Sequence, residues 1–247
     1  MEESRTTAAI VLSREPYREN DSLITVYTLN FGKLALIARG TKKLQSKLAA
    51  HTEPLSLINL MIIKGRGFDY IGGAANREVY FNIRADLNKL YYAGQALKIF
   101  NKLVKGDQAD KRLFFLLVNW LALLDNYSDF DKENGSLLFS FFILKFLVEL
   151  GYQPEMYKCL LCKNKLKPGN NYFDLLSGGV VCEACFNKGR RPITDGGTDL
   201  LPVSDNCIKL IRFMLDDQFE RPEKIKVDKK LTKELSLLVN KFLIFFS

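Results

Sequence analysis

The sequence predicts an α+β protein: a small five-stranded β-barrel at the N-terminus, then an α-helical domain with an inserted four-cysteine module. Three observations carry this expectation. Residues 7 to about 81 hold five short runs rich in Val, Ile, Leu, Tyr and Thr, separated by turn residues. From Asp86 onward the apolar residues recur every three and four positions. Four of the five cysteines fall into two C-x-x-C pairs.

The strand runs are TAAIVLSRE, SLITVYTL, KLALIARG, SLINLMIIKG and FDYIGGA, divided by Pro16–Asp21, Asn30-Phe31-Gly32 and Gly65-Arg66-Gly67. Between the third and fourth lies TKKLQSKLAAH, which lacks strand character and suits a short helix or ordered loop. Five strands with an insertion after the third is the order of an OB-fold, although other small barrels share the pattern. Leu87, Leu90, Tyr91, Gly94, Leu97 and Phe100 then trace one face of a helix. Residues 110–125 and 135–150 follow as two more helices. The second is apolar nearly all round, as the central helix of a bundle would be, and Gly151 supplies its C-cap. Residues 204–217 and 231–246 read as two last helices. The resulting domains are 1–82 (barrel), 83–155 with 193–247 (helical bundle) and 156–192 (cysteine module).

Cys159-x-x-Cys162 and Cys182-x-x-Cys185 are 19 residues apart, the spacing of a structural zinc site. Two residues between cysteines let a tight turn aim both thiolates at one ion, and two such turns complete a tetrahedral shell. That shell has no position for an activated water, so a single zinc ion there serves folding rather than catalysis. Two disulfides, a redox pair or coincidence are the competing readings, and paired spacing is far more specific than one C-x-x-C. Cys207, alone in a helical stretch, reads as a buried small apolar residue.

Composition sets the remaining bounds. The chain has 247 residues, 47% hydrophobic and 26% charged, which suits a folded protein. Its net charge of +8 favours an anionic partner. The excess is local: +4 in residues 1–85 and +5 in 158–191, with the rest nearly balanced. No basic start leads into an apolar run, and the most apolar stretch, 137–150, is too short and too interrupted to span a bilayer. The expected location is the cytoplasm, with no membrane partner. Catalytic signatures are weak. His51 has no nearby nucleophile motif, there is no Walker A sequence, and Gly65-Arg66-Gly67 fits a hairpin turn better than a phosphate loop. Asp125, Asp129, Asp131 and Glu133 suggest a nuclease metal site at most, and a solvated interhelical loop accounts for them as well.

Lys33, Arg39, Lys42, Lys43, Lys47, Lys64 and Arg66 form a basic run opposed only by Glu53. On a small barrel these charges suit a phosphate backbone. Tyr27, Phe31, Phe68 and Tyr70 are candidates for base stacking, with core packing as the alternative for each.

With these residues in view, the chain resembles the RecO family of bacterial DNA repair proteins. The resemblance runs through Pro16-Tyr17-Arg18-Glu19-Asn20-Asp21, Thr28, Gly32-Lys33, Arg39-Gly40, Lys43, Ser46, Glu53-Pro54 and Gly65-Arg66-Gly67, and Gly178-Gly179-Val180 precedes the second cysteine pair. It implies an OB-fold, a helical domain and a zinc module. It also implies a non-enzymatic mediator that binds single- and double-stranded DNA and anneals complementary strands. Such mediators work with RecR, sometimes with RecF, to help RecA displace the single-stranded-DNA-binding protein SSB. They imply a nucleoid-associated location. Lys33, Arg39, Lys43 and Arg66 occupy the family's basic motif positions, while Lys42, Lys47 and Lys64 are added from charge alone.

Charge also singles out a second patch: Lys158, Lys163, Lys165, Lys167, Lys188, Arg190 and Arg191. Two rival functions remain at this level, an OB-fold and zinc-ribbon RNA-binding protein and a metal-dependent nuclease. Competition with structured RNA separates the first, and a nuclease assay with magnesium the second.

Overall fold

Alternation at every second residue builds the barrel. A computed structural model describes residues 4–106, 108–189, 200–216, 225 and 227–246. Its first five strands are β1 (Ser4–Tyr17), β2 (Asp21–Thr28), β3 (Gly32–Ala38), β4 (Leu57–Ile63) and β5 (Tyr70–Glu78). Ala9 and Val11, Ile24 and Val26, Leu36 and Ala38, and Ile58, Leu60 and Ile62 all turn inward to form one buried cluster with Ile71. The strands close in the order β1-β2-β3-β5-β4, which is the OB-fold arrangement expected from the sequence. β1 is long enough to pair with both neighbours, Ser4–Ile10 with β4 and Ala9–Tyr17 with β2. A register shift between Val11 and Ser13 turns it from one partner to the other. The parallel pairing of Ile37 with Tyr70 joins β3 to β5.

The insertion after β3 forms turns ending in a 3₁₀ helix at Ala49–His51. Arg14 holds it in place. Its guanidinium donates to Thr41 O at 3.2 Å and Ala49 O at 3.3 Å, and pairs with Glu53.

The helices are α1 (Phe81–Ala85), α2 (Leu87–Leu103), α3 (Lys111–Asn126), α4 (Lys132–Glu149), α5 (Glu183–Asn187), α6 (Asp205–Asp216) and α7 (Lys229–Ile244). Side chains of Asp86, Asp110, Asp131 and Asp228 cap α2, α3, α4 and α7 by accepting backbone N–H bonds. The chain divides into two compact units, Met1–Phe130 and Asp131–Ser247. The first holds the barrel with α1, α2 and α3, and the second holds α4, α6 and α7 with the cysteine module. α1, only five residues long, was not anticipated; its span is too short for periodicity to register.

Within the second unit α4 is buried on nearly all sides and packs against α6 and α7. It ends as Gly151 at φ +89° allows. Gly151 N–H reaches Val148 O at 2.9 Å and Tyr152 N–H reaches Leu147 O at 2.8 Å, a Schellman closure. A three-stranded sheet of β6 (Asn171–Asp174), β7 (Gly179–Val181) and β8 (Leu200–Val203), ordered β7-β6-β8, supports the cysteine module. Among the described residues no helix is long and apolar enough to cross a membrane.

Candidate nucleic-acid interface and metal centre

The β1–β2 turn and the segment after β3 are tied into one corner. The Asp21 carboxylate accepts the Gly40 N–H at 2.8 Å, Lys42 N–H donates to Asn20 O at 3.1 Å, and the Lys42 ammonium donates to Arg18 O at 2.9 Å. Gly40 has φ +66°, a conformation that costs glycine little. Around this corner Arg18, Glu19, Asn20, Asp21, Arg39, Gly40 and Lys43 line an open cleft of about 460 Å³.

Aromatic rings extend the corner toward the β4–β5 connection. The Arg39 guanidinium lies over the Tyr70 ring, 4.1 Å from its centroid. Arg18 lies 5.3 Å over Tyr17, whose ring is 6.2 Å from that of Phe68. Phe68 is exposed, while Tyr17 and Tyr70 are half-buried. Guanidinium groups stacked on such rings keep their N–H edges available for phosphate oxygens. The same end of an OB barrel, where the β1–β2 and β4–β5 loops meet, is where this fold receives oligonucleotides.

The expected basic residues do not all behave alike. Arg39 and Lys43 lie at the cleft. Lys42 and Lys47 are exposed on the insertion, and Lys64 and Arg66 on the β4–β5 connection. Lys33 departs from the expectation. Its ammonium donates to the carbonyls of Asn101 and Val104, the latter at 3.0 Å, at the C-terminal end of α2. There it meets the negative end of the helix dipole, and burial lowers its pKa. Glu53, the one acid within the run, is paired with Arg14. The aromatics also divide. Tyr27 is fully buried against Phe100, and Phe31 packs against the barrel core beneath Arg5, so neither presents a free face. Tyr17, at the end of β1, and Arg18 also lie at this corner and were not among the expected residues, although their place beside the β1–β2 turn of a five-stranded barrel was a usable signal.

The second site is the cysteine cluster. The sulfurs of Cys159, Cys162, Cys182 and Cys185 all lie within 4.8 Å of one another, and those of Cys162 and Cys182 are 3.9 Å apart. Tetrahedral thiolates at about 2.3 Å from one ion stand about 3.8 Å apart, so the spacing fits a four-sulfur metal shell. Burial works to raise the Cys159 thiol's pKa, but N–H groups of Cys182, Cys162 and Leu161 outweigh it and bring the value down to about 6. Two of those bonds are explicit, Leu161 N–H and Cys182 N–H to Cys159 Sγ, each at 3.4 Å. Burial pushes Cys185 up to about 12, with the neighbouring thiols adding to the effect. Four ionised thiolates this close require a cation, so the four residues can hold a metal. They pack with Val181, Leu166 and Phe186 in a small apolar cluster. Cys207 is fully buried apart from them, its thiol also pushed up to about 12 by burial, as expected of an inert core residue.

The acidic residues have local partners. Asp125 accepts the Ile83 N–H at 2.8 Å, Asp131 caps α4, and Glu133 pairs with Lys229 at 2.8 Å. Among the described residues, the four cysteines are the one group placed to hold a metal.

These features define an OB-fold protein with an appended helical region and a four-cysteine cluster that could hold a metal. The model for the N-terminal part of recombination protein O matches residues 1–78, and that for its C-terminal part matches residues 84–244. A DNA repair protein RecO from Dehalococcoides mccartyi is 29% identical over 233 residues, 94% of this chain and 87% of its own. Those from a Thermoanaerobacter species and a Roseiflexus species are each 28% identical, covering 90% and 79% of their lengths. The chain belongs to the recombination protein O family, which places it in DNA repair and recombination.

Proposed function

We propose that this chain binds single- and double-stranded DNA at the loop end of its barrel and anneals complementary strands. With RecR, and in some settings RecF, it assists RecA loading onto SSB-coated DNA. It works in the cytoplasm at the nucleoid and performs no catalysis of its own. The observation that carries the reading is the convergence of Arg18, Arg39 and Lys43 with Tyr17, Phe68 and Tyr70 at one end of the barrel. Cations there neutralise phosphates and the rings receive unpaired bases, which suits holding one strand with its pairing edges open. Arg39, Lys42, Lys43, Lys47, Lys64 and Arg66 carry the phosphate contacts, and Lys33 braces the barrel. Functionally, residues 1–82 form the DNA-binding domain, 83–155 with 193–247 a helical domain, and 156–192 the metal module.

The four cysteines take one zinc ion, which supplies folding energy to the module. The test is annealing of complementary oligonucleotides without nucleotide, both naked and coated with the cognate SSB. Wild-type protein is expected to anneal both, and a Lys43/Arg66 charge-neutralised variant to lose most of that activity. Folded protein that anneals neither substrate and prefers structured RNA overturns the reading.

A further inference from the structure

The cysteine module carries lysines on a face of its own. Residues 157–166 form a hairpin in which Lys158 and Lys165 pair as antiparallel neighbours and Leu166 N–H bonds Tyr157 O at 2.9 Å. Side chains alternate along such a pair, and the contacts show which face is which. Tyr157 reaches Asp216 on α6 through its hydroxyl at 2.7 Å and lies under the Arg212 guanidinium. Cys159 is buried in the cysteine cluster, and Leu166 packs against it. The opposite face therefore presents Lys158, Lys165 and Lys167, all exposed, with exposed Lys163 at the tip.

The only acid between residues 155 and 167 is Glu155. Its carboxylate accepts the backbone N–H groups of Tyr157 and Lys158 at 2.7 and 3.0 Å; these bonds, helped by the charges of Lys158 and Lys163 and opposed by burial, hold it below the usual carboxylate pKa. No lysine on the outward face forms an ion pair among the described residues. Of the other basic residues singled out here, Lys188 is exposed at the C-terminal end of α5, and Arg190 and Arg191 lie outside the described residues.

We infer that this lysine face is a second binding site for a nucleic-acid phosphate backbone, separate from the barrel site. This rests on the DNA-binding reading above and extends it: an annealing protein must hold two strands. Compact ammonium charges on an extended backbone, without an available aromatic ring, suit phosphates rather than bases.

The test uses the full chain with its metal. Lys158, Lys165 and Lys167 are changed together to Gln, and in a second variant together to Arg. Metal content and thermal unfolding of both are compared with wild type to verify the fold. A fluorescent oligothymidine is titrated against each across a salt series. Wild type is expected to take up a second oligonucleotide, and the Arg variant to retain it. The Gln variant should lose it, with a salt slope smaller by about 2, the value for three released contacts on a single strand. Unchanged stoichiometry and slope in the Gln variant overturn the inference. Displacement by polyglutamate but not by oligothymidine does so too, because the face would then serve an acidic protein segment. Failure of wild type to bind DNA at all sinks the DNA-binding reading instead, so the two failures are distinguishable.

Discussion

The Tyr27 hydroxyl accepts the backbone N–H of Asp110 at 3.1 Å and returns a hydrogen bond to the same residue's carbonyl at 3.2 Å. One side chain on β2 thus fixes the point where α3 begins, 83 residues away. The ring meets Phe100 edge-on at 4.9 Å between centroids, and burial raises the phenol's pKa. Tyr27→Phe keeps the packing and leaves a peptide group short of a partner. The expected loss is about 1–2 kcal/mol of stability in denaturant unfolding, with oligonucleotide affinity unchanged. A drop in affinity without loss of stability would return Tyr27 to the DNA site.

Asp110 offers a titration to follow. Its carboxylate accepts the Arg112 backbone N–H at 2.8 Å and pairs with the Arg112 guanidinium at 3.1 Å. The Arg112 side chain is the main cause of its lowered pKa, backbone N–H groups of Arg112 and Leu113 add to it, and burial opposes it. A carboxylate depressed in the folded state adds stability above its unfolded value, about 3.9, and loses it as pH falls through the folded value. Asp110→Asn retains a good capping group without the charge. Wild type should exceed it by about 0.5 kcal/mol at neutral pH. The gap should close as unfolding is repeated at successively lower pH below about 4, and a constant gap would exclude the carboxylate as its source.

The barrel was legible because its inward residues alternate almost without interruption, as in Ile58, Leu60 and Ile62. The cysteine cluster was legible because the spacing of two C-x-x-C pairs is a local property of the chain. The basic run was legible only as a composition. Nothing in one dimension distinguishes Lys33, which turns to α2, from Arg39, which turns to Tyr70, since both lie on β3 or at its end and differ in the long-range partner they meet. Likewise Tyr27 and Tyr70 are both strand tyrosines, yet one faces inward to Phe100 and the other supports a guanidinium. The helices from Asp86 were recognised by periodicity, but their grouping with the barrel depends on contacts such as Tyr27–Asp110 that no local pattern encodes.

The zinc proposed at the four cysteines is a removable support. Purified protein is expected to carry about one zinc ion per chain, measured by elemental analysis. Cys159→Ser/Cys162→Ser should abolish that content and destabilise the second unit. Hydrogen exchange should rise around Tyr172 and Phe186, whose rings stack at 3.7 Å beside the cluster. Protection of the barrel strands should be unchanged. Strong chelator should reproduce the effect in wild type, whereas Cys207→Ser should leave the metal content intact. Full stability in the metal-free variant would count against a folding role.

The contrast between Lys33 and Arg39 is the sharpest check on the barrel site. Both are basic, but the Lys33 ammonium is held by carbonyls and the Arg39 guanidinium lies exposed on a ring. Lys33→Met removes the bonds to the end of α2 and should lower stability by about 1–3 kcal/mol, leaving the salt dependence of DNA binding as it was. Arg39→Ala should do the reverse, with little change in stability and a salt slope smaller by about 0.7 for a single strand. Phe68→Ala separates charge from stacking. It should weaken single-strand binding by about 1–3 kcal/mol if a base rests on that ring while leaving the slope unchanged, and duplex affinity should move far less because paired bases have no free face to offer. Equal slopes in the Arg39 variant and wild type would remove this end of the barrel from the phosphate path, whatever the stability measurements show.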